Sequence, residues 1–375
     1  MPESPYPLLF TPAKVNNLKL KNRITMAPLY LGYAGADGKV NPAILGHYRL
    51  MAKSGAALVV VENASITPAG AGASRVLRCD NERFVAGLAE LAAAIKGQKC
   101  KAALQLNHAG RFAAGAETVS ASDVAAFGKT PKALDKKEIA AIRRQFVAAA
   151  VRVQKAGFDL VELHGGTGYL LAQFVSPRTN QRGDDYGGSI DNRVRFPLEV
   201  LAAVKDKVGD FPVGYRLLAD EWLPDGLQPA EAKVLAAALD QAGVAYLSVM
   251  GGTYESFFLP EVVKKSKRPG YMVSLAKTIK ASVGVPVIAA GRIATPAKAE
   301  TVLAEGKADL IGLARVLWAD PQWPAKARKG KEETINPCRP SCNACMHLVM
   351  KGKPALCPHW DKATREVYRQ MLGQD

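Results

Sequence analysis

Residues 158–177 read Phe-Asp-Leu-Val-Glu-Leu-His-Gly-Gly-Thr-Gly-Tyr-Leu-Leu-Ala-Gln-Phe-Val-Ser-Pro. The first six form a short, nearly continuous apolar run, the pattern of a strand buried on both faces. The run ends in His164 and Gly165, so a reactive side chain and a free backbone follow the strand directly. A helical pattern over residues 137–156 precedes it. Seven further apolar runs share this design, at residues 24–28, 57–61, 102–106, 211–217, 244–249, 285–289 and 308–313. Helical stretches at 82–99, 192–208, 229–242 and 296–305 fall between them. Eight strand–helix alternations of comparable spacing predict an α/β fold, a closed parallel (β/α)8 TIM barrel, over an open doubly wound sheet.

The 375 residues exceed the roughly 250 that a minimal barrel needs, and barrels with insertions reach this length. No apolar run reaches 18 residues, so no membrane span is expected. The opening Met-Pro-Glu-Ser-Pro-Tyr lacks the basic-then-apolar layout of a secretion signal, which predicts a cytoplasmic protein. The net charge of +16 favours an anionic partner. Basic stripes interleaved with aromatics are missing, so nucleic acid is not expected and an acidic small molecule is. Two lysine-rich stretches stand out, at residues 129–137 and 264–268, and solvated loops would look the same. Of six cysteines, Cys79 and Cys100 are isolated and read as apolar filler. Cys338, Cys342, Cys345 and Cys357 fall within 20 residues, which in an intracellular enzyme favours metal or cluster ligation over disulfides. The expected division is a barrel over 1–330 and a cysteine-rich tail over 331–375.

Barrel active sites form where the strands end. The residues there are Leu29-Tyr30, Glu62-Asn63, Asn107-His108, His164-Gly165, Arg216, Gly251-Gly252, Gly291-Arg292 and Ala314-Arg315, a concentration of polar side chains and glycines. The last two runs close on Ala-Ala-Gly-Arg292 and Gly-Leu-Ala-Arg315. Glycine admits backbone N–H groups close to oxygens and arginine offers a planar fork of donors, so a phosphate site is expected. Arginines capping the barrel by salt bridges would give the same pattern.

The stretch Gln105-Leu-Asn-His-Ala-Gly-Arg111 and the long one from His164 to Pro177, continuing through Asn180, Arg182, Asp185, Tyr186 and Arg193, resemble the Old Yellow Enzyme family of FMN oxidoreductases. The subgroup resembled is that of 2,4-dienoyl-CoA reductase and trimethylamine dehydrogenase, whose barrels carry an iron–sulfur motif. By matching position, the resemblance implies that Ala27, Pro28, Asn63, Gln105 and Arg216 hold the flavin ring. It likewise implies that Gly291, Arg292, Ala314 and Arg315 hold the flavin phosphate. Tyr169 matches the family's proton donor and His164 one of two groups that bind the substrate carbonyl. Tyr30, Thr167 and Tyr254 would line the substrate. The implied chemistry is reduction of an activated C=C bond. NAD(P)H, or a cluster fed by an electron-transfer partner protein, would supply the electrons.

Two departures point to a specialised substrate. Thr167 stands where His or Asn is usual, and Tyr30 where Thr or Cys is common. The cysteines are separated by three, two and eleven residues, where the family motif usually begins with two. The motif follows the eighth unit, where the resembled reductases place their cluster, so the resemblance implies [4Fe–4S], and zinc is the alternative that four cysteines also suit. No Gly-x-Gly-x-x-Gly follows a late strand, so an external electron donor is expected. The lysine loops would bind the phosphates of a CoA thioester. An amine dehydrogenase with an aromatic bowl (Tyr30, Tyr33, Tyr169, Tyr254) and a non-catalytic electron-transfer subunit are the competing readings, and a homo-oligomer is compatible with all of them.

Overall fold

The computed structural model describes residues 4–373. Eight parallel strands close on themselves: β1 (Ile24–Met26), β2 (Leu58–Ser65), β3 (Lys101–Asn107), β4 (Leu160–Gly165), β5 (Val213–Leu218), β6 (Leu247–Met250), β7 (Val287–Ala289) and β8 (Leu310–Leu313). Each pairs with its neighbours in chain order, and β1 pairs with both β8 and β2, which closes the (β/α)8 barrel. Every predicted run became a strand. The pattern was readable because residues facing the barrel interior and those facing the helices are both buried, leaving no polar alternation.

The helices α1 (Pro42–Lys53), α2 (Val85–Lys96), α3 (Lys136–Lys155), α4 (Arg195–Val208), α5 (Pro229–Gln241), α6 (Val273–Lys280) and α7 (Pro296–Ala304) form the outer ring. Their starts follow local chemistry. Asp135 and Glu138 make a reciprocal capping box on α3, and the Asn41 side chain caps α1 ahead of Pro42. The buried face of α3 is Ile139, Ile142, Phe146, Ala149, Ala150 and Val153, at helical spacing. Each of its large side chains contributes about 1.5–3 kcal/mol by burial. The predicted helix over 192–208 is interrupted at Val194, where a short turn, Ile190–Arg193, hands over to α4.

Two cores result. An antiparallel hairpin, Ala13–Val15 with Leu18–Leu20, brings Val15 and Leu20 against Leu58, Val60, Tyr246, Ile288 and Leu310 inside the barrel. Plugging that end leaves the strand C-termini as the face where a ligand site forms. The second core lies between strands and helices, and the tail joins it. Tyr33 donates to the Ala355 carbonyl (2.7 Å) and Trp360 to that of Trp318 (2.8 Å). On the tail helices α8 (Ala344–Met350) and α9 (Lys362–Leu372), Tyr368 stacks on Trp360 at 4.0 Å and meets His47 Nδ1 at 2.9 Å. Among the described residues no helix is long and apolar enough to cross a membrane.

Candidate active site at the strand C-termini

Parallel register aligns one polar layer across neighbouring strands. Gln105 is paired with Glu162, and Arg216 with both His164 and Ser248. Gln105 Nε2 donates to Glu162 Oε1 (2.7 Å) and the Tyr246 hydroxyl donates to Oε2 (2.7 Å). Burial pushes the Glu162 carboxyl up, while Arg216, Tyr246 and Gln105 pull it back. Arg216 is lowered by burial against the opposing pull of Glu162, and its one side-chain hydrogen bond goes to Ser248 Oγ (3.1 Å). A buried guanidinium with most of its five donors unengaged by other side chains suits an electron-rich planar ligand.

His164 and Tyr169 stand above this layer, their ring centroids 5.0 Å apart and nearly perpendicular. Burial, with Arg216 adding to it, holds the His164 imidazole well below its ordinary value, so the ring is neutral. Its Nδ1 accepts from the Gly166 N–H (3.2 Å), which assigns the proton to Nε2 and makes that nitrogen a donor. Burial and the nearby Tyr254 raise Tyr169 well above the usual phenol range. The two phenols share a hydrogen bond of 2.8 Å. Tyr30, half-buried, is pushed up to about 12, first by burial and then by Glu62 and Tyr254. Thr167 adopts a left-handed backbone (φ 59), an outlier for a β-branched residue. Its hydroxyl turns to Met250 Sδ (3.5 Å), away from a role paired with His164.

At the other side of the mouth, Gly291 has φ 96, and a Cβ there would stand 2.8 Å from Met272 Cβ. The next residue, Arg292, is also left-handed (φ 55) and donates through Nε to the Ser266 carbonyl (2.7 Å). Burial lowers its guanidinium and the neighbouring Arg315 lowers it further. Among the described residues no salt bridge engages either arginine. Two adjacent cations without a carboxylate between them are the arrangement that an anion relieves, and the salt-bridge alternative is not what the side chains do.

Residues 8–334 match the model of the NADH:flavin oxidoreductase / NADH oxidase family. The chain belongs to that family. It is 41% identical over 348 residues to an NADH oxidase of Thermoanaerobacter brockii, across 90% of this chain and 53% of that protein. With an NADPH dehydrogenase of Bacillus licheniformis it shares 37% over 326 residues, 86% of this chain and 94% of the relative. The chain spans about half the length of the first curated relatives it matches. Among solved structures, a 2-naphthoyl-CoA reductase in complex with 2-naphthoyl-CoA superposes with a TM-score of 0.91 at 27% identity, over 97% of this chain and 58% of that one. Histamine dehydrogenase from Rhizobium sp. 4-9 gives 0.85 at 28% identity, over 96% and 53%.

The strand-end residues of this family member fit FMN. Arg292 and Arg315 form the unneutralised cationic end, and Arg216 with Gln105 the polar layer for a ring. Ala27 lies directly after β1, its N–H fixed on the Leu313 carbonyl (2.9 Å), so β1 and β8 carry their two loops in a set relation. Asn63 sits at a bulge in β2, where the register against β3 shifts between Val61 and Ala64. The sequence reading placed Glu62 at a strand end, at the same bulge, but gave it no role. Neither of its carboxylate oxygens meets a partner with full hydrogen-bond geometry. Burial pushes it up to about 8, against weaker pulls from the Leu31 backbone and the Tyr48 hydroxyl. Glu162 was given no role either. In both cases the signal was a lone carboxylate inside an apolar strand, Val-Val-Val-Glu62 and Leu-Val-Glu162-Leu.

All six cysteines are free thiols. Cys338, Cys342, Cys345 and Cys357 are electrostatic neighbours of one another, and Cys338 lies beside Arg292 and Arg315. The Arg292 guanidinium also reaches the Cys338 carbonyl (3.5 Å), so the tail packs against the arginine pair. Among the described residues, no three His, Cys, Asp or Glu side chains are gathered tightly enough to hold a single metal ion. Of the lysines in the first basic stretch, Lys132 is paired with Glu138, Lys136 with Asp185, and Lys129 bonds the Gly115 carbonyl. That loop is largely neutralised locally. Lys264, Lys265 and Lys267 are exposed and make no salt bridge among the described residues, although Lys265 lies 4.7 Å above the Trp222 ring.

Proposed function

We propose that this chain is an FMN-dependent reductase of activated C=C bonds in carbonyl or thioester substrates. The observation that carries the reading is the neutral His164, with its proton on Nε2, beside the protonated Tyr169 above the Arg216–Glu162 layer. FMN, once bound and reduced by an electron donor, would supply the hydride for the β-carbon of the alkene. His164 Nε2–H donates to the substrate carbonyl oxygen and stabilises the charge that gathers there. Tyr169 delivers the proton that the α-carbon takes up. Tyr254, on its 2.8 Å hydrogen bond, passes a replacement proton to Tyr169. Arg216 holds fixed positive charge against the ring and favours a cofactor that gains electron density. Arg292 and Arg315 anchor the phosphate, with the backbone at Gly291 and Ala314. Ala27, Pro28, Asn63 and Gln105 position the ring, while Tyr30 and Thr167 shape the substrate side.

The four tail thiols are assigned to a [4Fe–4S] cluster. The four thiols are neighbours of one another and a cluster needs four thiolates, with zinc as the alternative that four cysteines also suit. Held by these thiols, a cluster would supply one-electron transfer from a partner protein toward the flavin, and NAD(P)H would be the alternative two-electron donor. The exposed Lys264, Lys265 and Lys267 are placed to meet the phosphates of a CoA thioester. A second reading, oxidation of an amine, is favoured by the similarity to histamine dehydrogenase and by the tyrosines at the mouth. Flavin-loaded, anaerobically reduced protein separates the two. Reoxidation by an enoyl thioester supports the reductase. If amines reduce the oxidised protein and enoyl thioesters leave the reduced protein unchanged, the reductase reading falls.

A further inference from the structure

A series of aromatic rings leads outward from the reacting groups. From Tyr169 the next ring is Tyr254, at 5.8 Å, then Phe112 at 5.3 Å and edge-on (80°), then Phe127 at 5.7 Å. Burial decreases along the way, from Tyr169 in the interior to Phe127, whose side is 68% exposed. Phe112, Tyr254 and Tyr169 pack with Ala109 and Ala113 in an apolar cluster distinct from both barrel cores, so their contacts serve the mouth and not the scaffold.

Phe127 occupies a position that folding alone disfavours. Ala126 and Lys129 exchange both backbone hydrogen bonds (2.8 and 3.0 Å), closing a two-residue turn. Its central residues, Phe127 and Gly128, have φ 47 and 76, the signs of a type I′ turn. Asn-Gly is the usual occupant of such a turn. A bulky side chain there carries a left-handed backbone penalty, and an exposed phenyl ring gains little from burial to offset it. Both penalties fall on one residue, and its ring is laid against Phe112. That contact is braced. The Arg111 guanidinium lies 5.0 Å over Phe112 and forms an ion pair with Glu255, the neighbour of Tyr254, which joins the loops after β3 and β6. The loop after β2, Ala69-Gly-Ala-Gly-Ala73, packs on the same cluster, where a Cβ on Gly72 would stand 3.4 Å from Ala109 Cβ and 3.7 Å from the Tyr169 hydroxyl.

We propose that Phe127, Phe112 and Tyr254 form a platform that selects substrates whose acyl group is flat and conjugated, aromatic or polyunsaturated, over short saturated-tailed ones. The proposal rests on the reading above that the strand-end face is the substrate site. The platform acts in binding, ahead of any chemistry, because an offset or edge-on ring contact is favourable and a flexible alkyl chain cannot make it.

The test is equilibrium binding to the flavin-loaded, oxidised protein of two N-acetylcysteamine thioesters, cinnamoyl and crotonyl, read from the flavin absorption change and checked by calorimetry. The wild-type protein should bind the cinnamoyl ester more tightly. Phe127→Asn should weaken cinnamoyl binding about fivefold, the loss of one aromatic contact, and crotonyl binding by less than twofold. Asn suits the left-handed position, so the same variant should keep or raise the Tm. A lowered Tm with unchanged binding would make Phe127 a structural residue and overturn the proposal. Phe112→Leu, which keeps apolar bulk, should also act on the cinnamoyl ester alone. Equal binding of both esters by the wild-type protein refutes the platform while leaving the strand-end site standing. Binding of neither ester, with flavin present, refutes the site and the platform together.

Discussion

The hydroxyls of Tyr169 and Tyr254 stand 2.8 Å apart, although one follows β4 and the other β6. Each phenol is buried and raised above its ordinary range, so both remain protonated through neutral pH. The pair therefore holds two protons in series, Tyr169 nearer His164 and Tyr254 nearer the mouth. Tyr169→Phe should lower the rate at which an enoyl substrate reoxidises the reduced flavin by about 100-fold or more, within the range for loss of a general acid. Flavin reduction by NAD(P)H, which needs no proton from this phenol, should be unchanged. Tyr254→Phe should give a smaller loss, about tenfold, because Tyr169 still delivers its proton and only its replenishment suffers. Pre-steady-state absorbance traces separate the two half-reactions. An equal loss in both would show that Tyr169 acts on the flavin and not on the substrate.

Glu62 gives a pH signature. Its folded value of about 8 lies above the ordinary carboxylate value of 4.5, so between those two points the folded protein keeps a proton that the unfolded chain has released. Stability from this group is complete below pH 4.5 and is lost as the pH rises toward about 8, at a rate on the order of 1 kcal/mol per pH unit. Glu62→Gln mimics the protonated form and removes the dependence. The Tm difference between wild type and variant should therefore widen from pH 5 to pH 8, in favour of the variant. Parallel Tm curves would mean that Glu62 is ionised in the folded protein and finds a partner there.

The barrel was legible because its strands are buried on both sides, which writes them as apolar runs that need no tertiary information. Boundaries were less so. The run at 57–61 continues in the structure to Ser65, since the bulge at Glu62 and Asn63 absorbs the polar residues that mark a strand end in sequence. That His164 and Tyr169 lie close together was readable from the sequence, since they are five residues apart behind one strand. What could not be read were relationships between loops far apart in the chain. Tyr254 meets Tyr169 across 85 residues and Arg111 pairs with Glu255 across 144, and no local pattern carries such contacts. Thr167 illustrates a further limit. Its identity was noted, but its left-handed backbone and its turn toward Met250 follow from the Gly165–Gly168 loop geometry and not from composition.

Arg315 is the freer cation of the pair proposed to hold the phosphate, since Arg292 is already committed to the Ser266 and Cys338 carbonyls. Arg315→Ala should raise the FMN dissociation constant about 10- to 100-fold, the range for losing one charge-assisted hydrogen bond. Arg315→Lys should recover part of the loss, keeping the charge but not the planar fork. In the absence of flavin, either variant should hold or raise the Tm, because the like-charge contact with Arg292 is relieved or unchanged. Fluorescence titration of the flavin-free protein with FMN measures the first effect. Undiminished affinity in Arg315→Ala would move the phosphate away from this end of the barrel.

The tail thiols make the sharpest chemical prediction, since two metals compete for them. A cluster requires about four iron atoms and matching acid-labile sulfide per chain in anaerobically prepared protein, whereas a zinc site requires one zinc and no sulfide. Cys357 is a poor place to test this, because it is buried in the core that holds Ala355, Trp360 and Tyr368, and its replacement would loosen the tail itself. Cys345 is half-buried on α8 and only borders that core, so Cys345→Ser removes a thiol with less disturbed. Its iron content should fall sharply while FMN remains bound, because the phosphate end is built from Arg292 and Arg315 and needs the tail only through the Cys338 carbonyl. Loss of flavin alongside iron would mean that cluster and cofactor sites fold as one unit. Stoichiometric zinc in the wild-type protein, without sulfide, would remove the cluster from the reaction scheme and leave NAD(P)H as the direct source of electrons.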